Sequence, residues 1–299
     1  MRYVPYGELA GQPHVVVDGS ATEGTVLVLS HWPGSSTPIA LAADLSAEIA
    51  LRYLDQPELH VDVDVVSNNH VDEDGAAGLF ALVDPERAVE HRQLLVEVAR
   101  AGDFEQTDSR DAARIAFALA ASSRPGAGYR PLLDRLPGWL ADPTSARALW
   151  EEADDHLAFS LSCIDAGGLE IDEEPELDLS IVTPVARGLR VDALHPIALH
   201  GAIGGLAVLR LEPGRPQLRY RYETWVRLTS RTARPRVDLA PLAARLGALD
   251  AVPWRAGDVD DMTPSCEPDG ESELDPAVVR ATVIDHLRTA PPAWDPWAV

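Results

Sequence analysis

The stretch Asn68-Asn69-His70-Val71-Asp72-Glu73-Asp74-Gly75 sets one imidazole and two carboxylates at alternate positions. Residues two apart in an extended loop project to the same side, so His70, Asp72 and Asp74 can converge on one divalent ion or bridge two. Hard cations take carboxylate oxygens, and imidazole adds a borderline ligand suited to manganese, iron or zinc. Two ions roughly 3.5–4 Å apart polarise a phosphoryl oxygen and lower the pKa of water towards neutrality. The spacing also matches the front of a calcium EF-hand loop, but Ala81 stands where that loop needs its bidentate glutamate, and the segment follows a strand. A second reading stays open, in which Asp72 or Asp74 caps the next helix and His70 satisfies a turn.

These residues need elements to position them. Residues 14–18 and 25–30 are short β-branched and apolar runs joined by Gly-Ser-Ala-Thr-Glu-Gly. That link reads as too short for a parallel crossover, so an antiparallel hairpin is expected. An alanine-rich helical pattern runs from Pro38 to about Leu54, and a further strand is expected at 61–66, which completes a right-handed βαβ unit. Ligands of open α/β sheets gather at the carboxyl edge of parallel strands, which places His31 and residues 68–75 together. His31 has an alternative role, capping the Trp32-Pro33-Gly34 turn. The hairpin sends Asp18 to the opposite edge, and on that ground it is set aside.

Asp84-Pro85-Glu86 supplies a cap, a first-turn proline and a first-turn acid for a helix reaching Arg100, with Gly102 as its stop and Asp103 just beyond. Further helices are expected at 109–121 and, from Asp142-Pro143, to about Asp165, with a loop at 122–131 between them. Gly167-Gly168 marks the expected domain boundary, giving an α/β domain over 1–167 and a smaller α+β domain over 168–299. The latter shows strand-like runs at 177–182, 205–211 and 217–228 and helices at 239–249 and 276–287. Alternation in the third run would put Arg219, Arg221 and Arg227 on one face. Such a face is either solvated and paired with acids or a clamp for substrate phosphate, with Arg219 and Arg221 as the substrate-binding candidates. His195 and His200 lack carboxylate company and read as structural, and Cys163 reads as core.

The strand, HxDxDG and helix arrangement resembles the first metal motif of the DHH phosphoesterases, whose members show DxDxDG or HxxPDxD there. Asp72, Asp74 and Gly75 match by spacing, with His70 where many members carry aspartate. Arg234–Ala243 and Trp254–Gly257 are similar to the helix and glycine turn of that family's substrate-binding domain. The Asp-His-His triplet and the GGGH turn are absent, and Asp154-Asp155-His156 lies in an acid-rich helical stretch. The resemblance implies a manganese- or magnesium-dependent phosphoesterase with Asp72 and Asp74 as ligands and His70 as a ligand or acid/base partner. Asp103 would complete the metal set, with His31 added to it by the parallel-sheet argument alone, and His70 and Asp74 would be the catalytic residues. The layout also resembles that of a bacterial family without an assigned activity.

The 299 residues carry 48 acids against 25 basic residues, a formal charge of −23, which disfavours non-specific duplex nucleic acid and anionic membrane. Every basic residue is arginine, which removes Schiff-base chemistry and a phosphate-loop lysine. Two distant cysteines form no framework, and the N-terminus lacks a basic and apolar leader, so a cytoplasmic chain is expected. The expected activity is hydrolysis of a small anionic phosphodiester or nucleotide. The alternative is a non-catalytic scaffold or ligand-binding protein built on the same fold.

Overall fold

The computed structural model describes residues 1–123 and 128–298. The chain divides into two compact units, Met1–His156 with Arg227–Ser230, and Leu157–Val226 with Arg231–Val299. The division falls inside a helix rather than at Gly167-Gly168.

The first unit contains β1 (Arg2–Tyr3), β2 (His14–Val17), β3 (Thr25–Leu29), α1 (Ser46–Leu54), β4 (Val65–Ser67), α2 (Glu73–Val83), α3 (Pro85–Glu90), α4 (Arg92–Asp103), α5 (Arg110–Ser122) and α6 (Arg130–Ala141). Then comes α7 (Arg147–Asp165), in which the division falls. The sheet order is β1-β4-β2-β3, and every pairing is parallel.

The expected hairpin is therefore corrected: β2 and β3 run side by side in the same direction, with Val15 opposite Leu27 and Val17 opposite Leu29. A four-residue strand is only about 13 Å long. The link over residues 18–24 can span about 23 Å when extended, so it has reach enough to return the chain. It turns at once through Asp18, whose φ is +48°, while the Asp18 amide donates to the Leu29 carbonyl at 3.0 Å.

Other boundaries move for local reasons. The pattern at 38–54 splits into a 3₁₀ turn at Ile39–Leu41 and α1, and β4 begins at Val65 rather than at 61. Asp84 caps α3 as its sequence suggests, but the helix is interrupted at His91, and α4 runs on through Gly102 to Asp103. Ser109 caps α5. Of the loop expected at 122–131, residues 124–127 lie outside the described residues.

All four positions of β2 are buried, as expected of a strand covered on both faces. Helix α2 approaches this strand at Gly78, where an added Cβ would sit 2.6 Å from Val17 Cγ1. The close approach brings the N-terminus of α2 up to the strand ends.

The second unit continues with β5 (Leu169–Glu174), β6 (Leu179–Pro184), α8 (Pro196–Ala202), β7 (Ala207–Arg210), β8 (Gln217–Tyr220), β9 (Arg236–Val237), α9 (Ala240–Leu249), β10 (Trp254–Ala256), β11 (Ser265–Pro268), α10 (Pro276–Thr289) and β12 (Pro292–Trp294). Its six-stranded sheet has the order β10-β11-β8-β7-β6-β5 and is antiparallel except at β6–β7. Alternate residues serve opposite faces. Leu179, Ile181, Ala207 and Leu209 join a core with Leu242 and Leu246 of α9 and Val283 of α10, while Val182 and Val208 join Leu199 of α8. The proline-rich tail forms β12, paired with β9. No helix among the described residues is long and apolar enough to cross a membrane.

Candidate metal centre

Three parallel strands end at one edge, and each releases chemistry there. After β2 comes Asp18, after β3 comes His31, and after β4 comes the segment Asn68 to Asp74. The last residue of α4, Asp103, reaches the same place. His31 Nε2 lies 3.4 Å from Asp103 Oδ2, 3.6 Å from Asp18 Oδ1 and 3.7 Å from Asp74 Oδ2. The other oxygen of Asp18 faces His70 Nε2 at 3.2 Å, and Asp72 Oδ2 lies 2.5 Å from that same nitrogen. Two donor sets emerge, Asp18/His31/Asp74 and Asp18/His70/Asp72, each with its donor atoms within 4.8 Å of one another. Asp18 belongs to both.

The supports are as specific as the donors. A carbonyl oxygen can only accept, so the 2.5 Å contact from His31 Nδ1 to the Asp44 main-chain oxygen places the proton on Nδ1. The Nε2 lone pair of the neutral ring then faces three carboxylates. Asp74 accepts the amides of Ser46 and Ala47, each at 2.7 Å, at the N-terminus of α1. Asp18 Oδ1 accepts the Ser46 hydroxyl at 2.8 Å. Asp72 uses its oxygens separately, Oδ1 accepting the Gly75 amide at 2.8 Å as the cap of α2 and Oδ2 facing His70. Asp72 Oδ1 thus caps α2, and the cap leaves Oδ2 on the His70 side. The Tyr129 hydroxyl accepts from the Asp72 amide at 3.1 Å, and Gly75 makes room for it, since a Cβ there would lie 2.1 Å from that oxygen.

Charge at this edge is concentrated and buried. Burial, then the charges of Asp18 and Asp72, push Asp74 well above the usual carboxylate range. Burial followed by Asp74, Asp72 and Asp18 does the same to Asp103. Burial and then Asp18 raise Asp72, and burial with Asp72 lifts neighbouring Glu73 to about 7. Burial opposes ionisation of Asp18 too, but contact with His70 and the imidazole charges carry it below its ordinary value. His31 is held down by burial, against the pull of Asp18. Burial also disfavours the His70 cation, yet Asp18 and Asp72 outweigh it and raise His70 to about 10.

This donor set fits a divalent cation. Its oxygen and imidazole chemistry suits manganese, magnesium, iron or zinc. Ligands about 2.1 Å from an ion stand roughly 3.0–3.4 Å from one another, close to the 3.4–3.7 Å spacings around His31 and the 3.2 Å between His70 and Asp18, whereas the 2.5 Å contact of His70 with Asp72 is a hydrogen bond that an ion would have to open. A cation between them would also offset the mutual repulsion that raises Asp74 and Asp103.

Residues 1–298 match the profile of a family of unknown function, DUF6687. The chain belongs to that family. No curated protein and no solved structure gives a match.

In this DUF6687 chain the five metal candidates named from the sequence, His31, His70, Asp72, Asp74 and Asp103, come together, and Asp18 joins them. Asp18 was excluded only by the mistaken hairpin. The signal for it was the unbroken Val15-Val16-Val17 run, which suits a strand buried on both faces better than a half-exposed hairpin. Asp44, Ser46 and Tyr129 carry no motif and could not be found locally.

The arginine stripe is corrected. Strand β8 ends at Tyr220, so Arg219, Arg221 and Arg227 do not alternate along one strand. Arg219 is exposed and donates to Thr263 Oγ1 at 2.9 Å, whereas Arg221 is buried and paired with Glu223. Arg227 belongs to the first unit. Arg236, fully buried, spends its guanidinium on Thr224 and on the carbonyls of Val259, Asp261 and Met262. A cleft of about 530 Å³ in the second unit is lined by Arg210, Arg215 and Arg255, but five acids, Asp192, Glu212, Glu267, Asp269 and Glu271, outnumber them, so it is no cationic clamp.

Proposed function

We propose that the protein is a metal-dependent phosphoesterase acting on a small phosphodiester or nucleotide. The observation that supports this reading is the seating of His31 Nε2 within 3.7 Å of three aspartates, one just after β2 and the others in α2 and α4. Asp18, His31, Asp74 and Asp103 would hold a buried manganese or magnesium ion, and Asp18, His70 and Asp72 a second. When bound, such ions polarise a phosphoryl oxygen and acidify water.

The chain's own residues set the direction of approach. The side chains of His70 and Asp72 are 33% and 27% exposed, while those of His31, Asp18 and Asp74 are at or near zero, so substrate meets the set from the His70 side. Trp32 lies over that imidazole with ring centroids 5.0 Å apart and narrows the entry. The Gly75 amide holds the Asp72 carboxylate at 2.8 Å, and the Tyr129 hydroxyl, which accepts the Asp72 amide, also donates to that carboxylate at 3.4 Å; together they keep the open side in register with the buried one.

A second reading, a metal-holding protein without turnover, is favoured by one observation. Asp154 is paired with Arg110 and Arg114, so the first residue of the Asp154-Asp155-His156 stretch is spent on ion pairs rather than offered to a metal. The test is metal content after gentle purification, followed by hydrolysis of bis(p-nitrophenyl) phosphate with and without Mn²⁺. Retained metal with Mn²⁺-dependent turnover is expected. Retained metal without turnover on this and on nucleotide substrates selects the second reading, and no retained or rebound metal removes both.

A further inference from the structure

Three of the candidate ligands lean on one short stretch, Asp44 to Ala47. It receives the His31 Nδ1 proton on the Asp44 carbonyl, gives the Ser46 hydroxyl to Asp18, and gives the Ser46 and Ala47 amides to Asp74. The stretch is itself held from far along the chain. The Asp44 carboxylate accepts the Thr229 amide at 2.6 Å, the Ser230 amide at 2.9 Å, the Thr229 hydroxyl at 2.9 Å, and the Ser230 hydroxyl. The Arg227 amide donates to the His31 carbonyl at 2.9 Å, and its guanidinium donates to the Ser35 carbonyl at 2.8 Å. Leu228 between them is buried. Val226 and Arg231, on either side, belong to the second unit.

Building on the metal reading, we infer that residues 227–230 are a latch that sets the metal affinity of the buried donor set, with Asp44 as the positioning residue. Four donors on one buried carboxylate fix the Asp44 backbone, and the carbonyl of that residue selects the His31 tautomer whose lone pair faces the aspartates. Groups of this kind behind a ligand typically govern about 10–100-fold in metal affinity. Coupling is reciprocal, so an ion in the set must also hold the latch more tightly.

Asp44→Ala in the full chain separates the latch from the ligand, because it removes every acceptor for 229–230 yet keeps the carbonyl that His31 uses. Asp44→Asn is the conservative partner, since one oxygen still accepts from three of the four donors. The expected result is Mn²⁺ affinity, by calorimetric titration, about 10–100-fold weaker in Asp44→Ala and within about threefold of wild type in Asp44→Asn. Added Mn²⁺ should slow amide exchange at Thr229 and Ser230 in wild type but not in Asp44→Ala. If that variant does not fold, Thr229→Val with Ser230→Ala replaces it. Unchanged affinity and exchange in a folded latch variant overturn the inference, and equal loss in Asp44→Ala and Asp44→Asn assigns the effect to charge and overturns it as well. A wild-type chain that binds no Mn²⁺ overturns the metal reading instead. In that case, imidazole ¹⁵N spectra that still place the His31 proton on Nδ1 in wild type and shift it in Asp44→Ala keep the positioning role of Asp44, and identical spectra remove it.

Discussion

Asp103 shows at the scale of one residue what the cluster costs and what it is for. Its carboxyl is buried and pressed upward first by desolvation and then by Asp74, Asp72 and Asp18. Asp103→Asn removes that conflict while preserving shape. In chelator near pH 7 the variant should be more stable than wild type by about 0.5–2 kcal/mol in urea denaturation, yet bind Mn²⁺ more weakly. A variant destabilised in chelator would show that Asp103 serves the fold alone. The same physics gives the chelated wild type a pH dependence of definite sign. Asp74 and Asp103 keep their protons in the folded chain above the ordinary carboxylate value of about 3.9, where the unfolded chain has released them. Folding therefore takes up protons in that window, and stability falls as pH rises through it towards the raised values. Saturating Mn²⁺ should abolish or invert the slope, as thermal melts at a series of pH values will record.

At the scale of elements, the site depends on α2 lying hard against β2, and Gly78 is what permits this. A Cβ at 78 would stand 2.6 Å from Val17 Cγ1, and the stiff, buried valine has little freedom to yield. Gly78→Ala should destabilise the chain by about 1–3 kcal/mol, and Val17→Ala in the same chain should recover part of the loss, measured by chemical denaturation. Equal stability of Gly78→Ala and wild type would mean the contact is slack. The elements were legible where local chemistry defines them: the Asp84 cap and the helix it starts, the helices expected at 109–121 and 276–287, and the strand leading into His70. The direction of β3 was not, because the length of a link limits a parallel return only when the strand is long, and β2 has four residues. That one misjudged direction removed Asp18 from consideration. Asp103 was recognised even though Gly102 does not stop its helix, since the end of α4 delivers the side chain to the same edge. The return of residues 227–230 had no local signature, as it is fixed by partners nearly two hundred positions away.

The whole molecule carries a charge of −23 and no lysine, so any divalent cation will gather loosely over its surface. A built site and a diffuse ion atmosphere respond differently to salt. At about 0.5 M NaCl the screening length falls to ~4 Å, which removes attraction to scattered surface acids but leaves buried, closely spaced donors nearly untouched. Under those conditions the chain should bind two Mn²⁺, because the donors form two sets that share Asp18. Asp18→Asn should then lose both ions, whereas His70→Ala should lose only the one on the solvent side. Equilibrium dialysis with metal analysis measures the stoichiometry directly. A count that falls continuously with salt, or that is the same in wild type and Asp18→Asn, would assign the binding to net charge and leave the converging strand ends without a cation to hold.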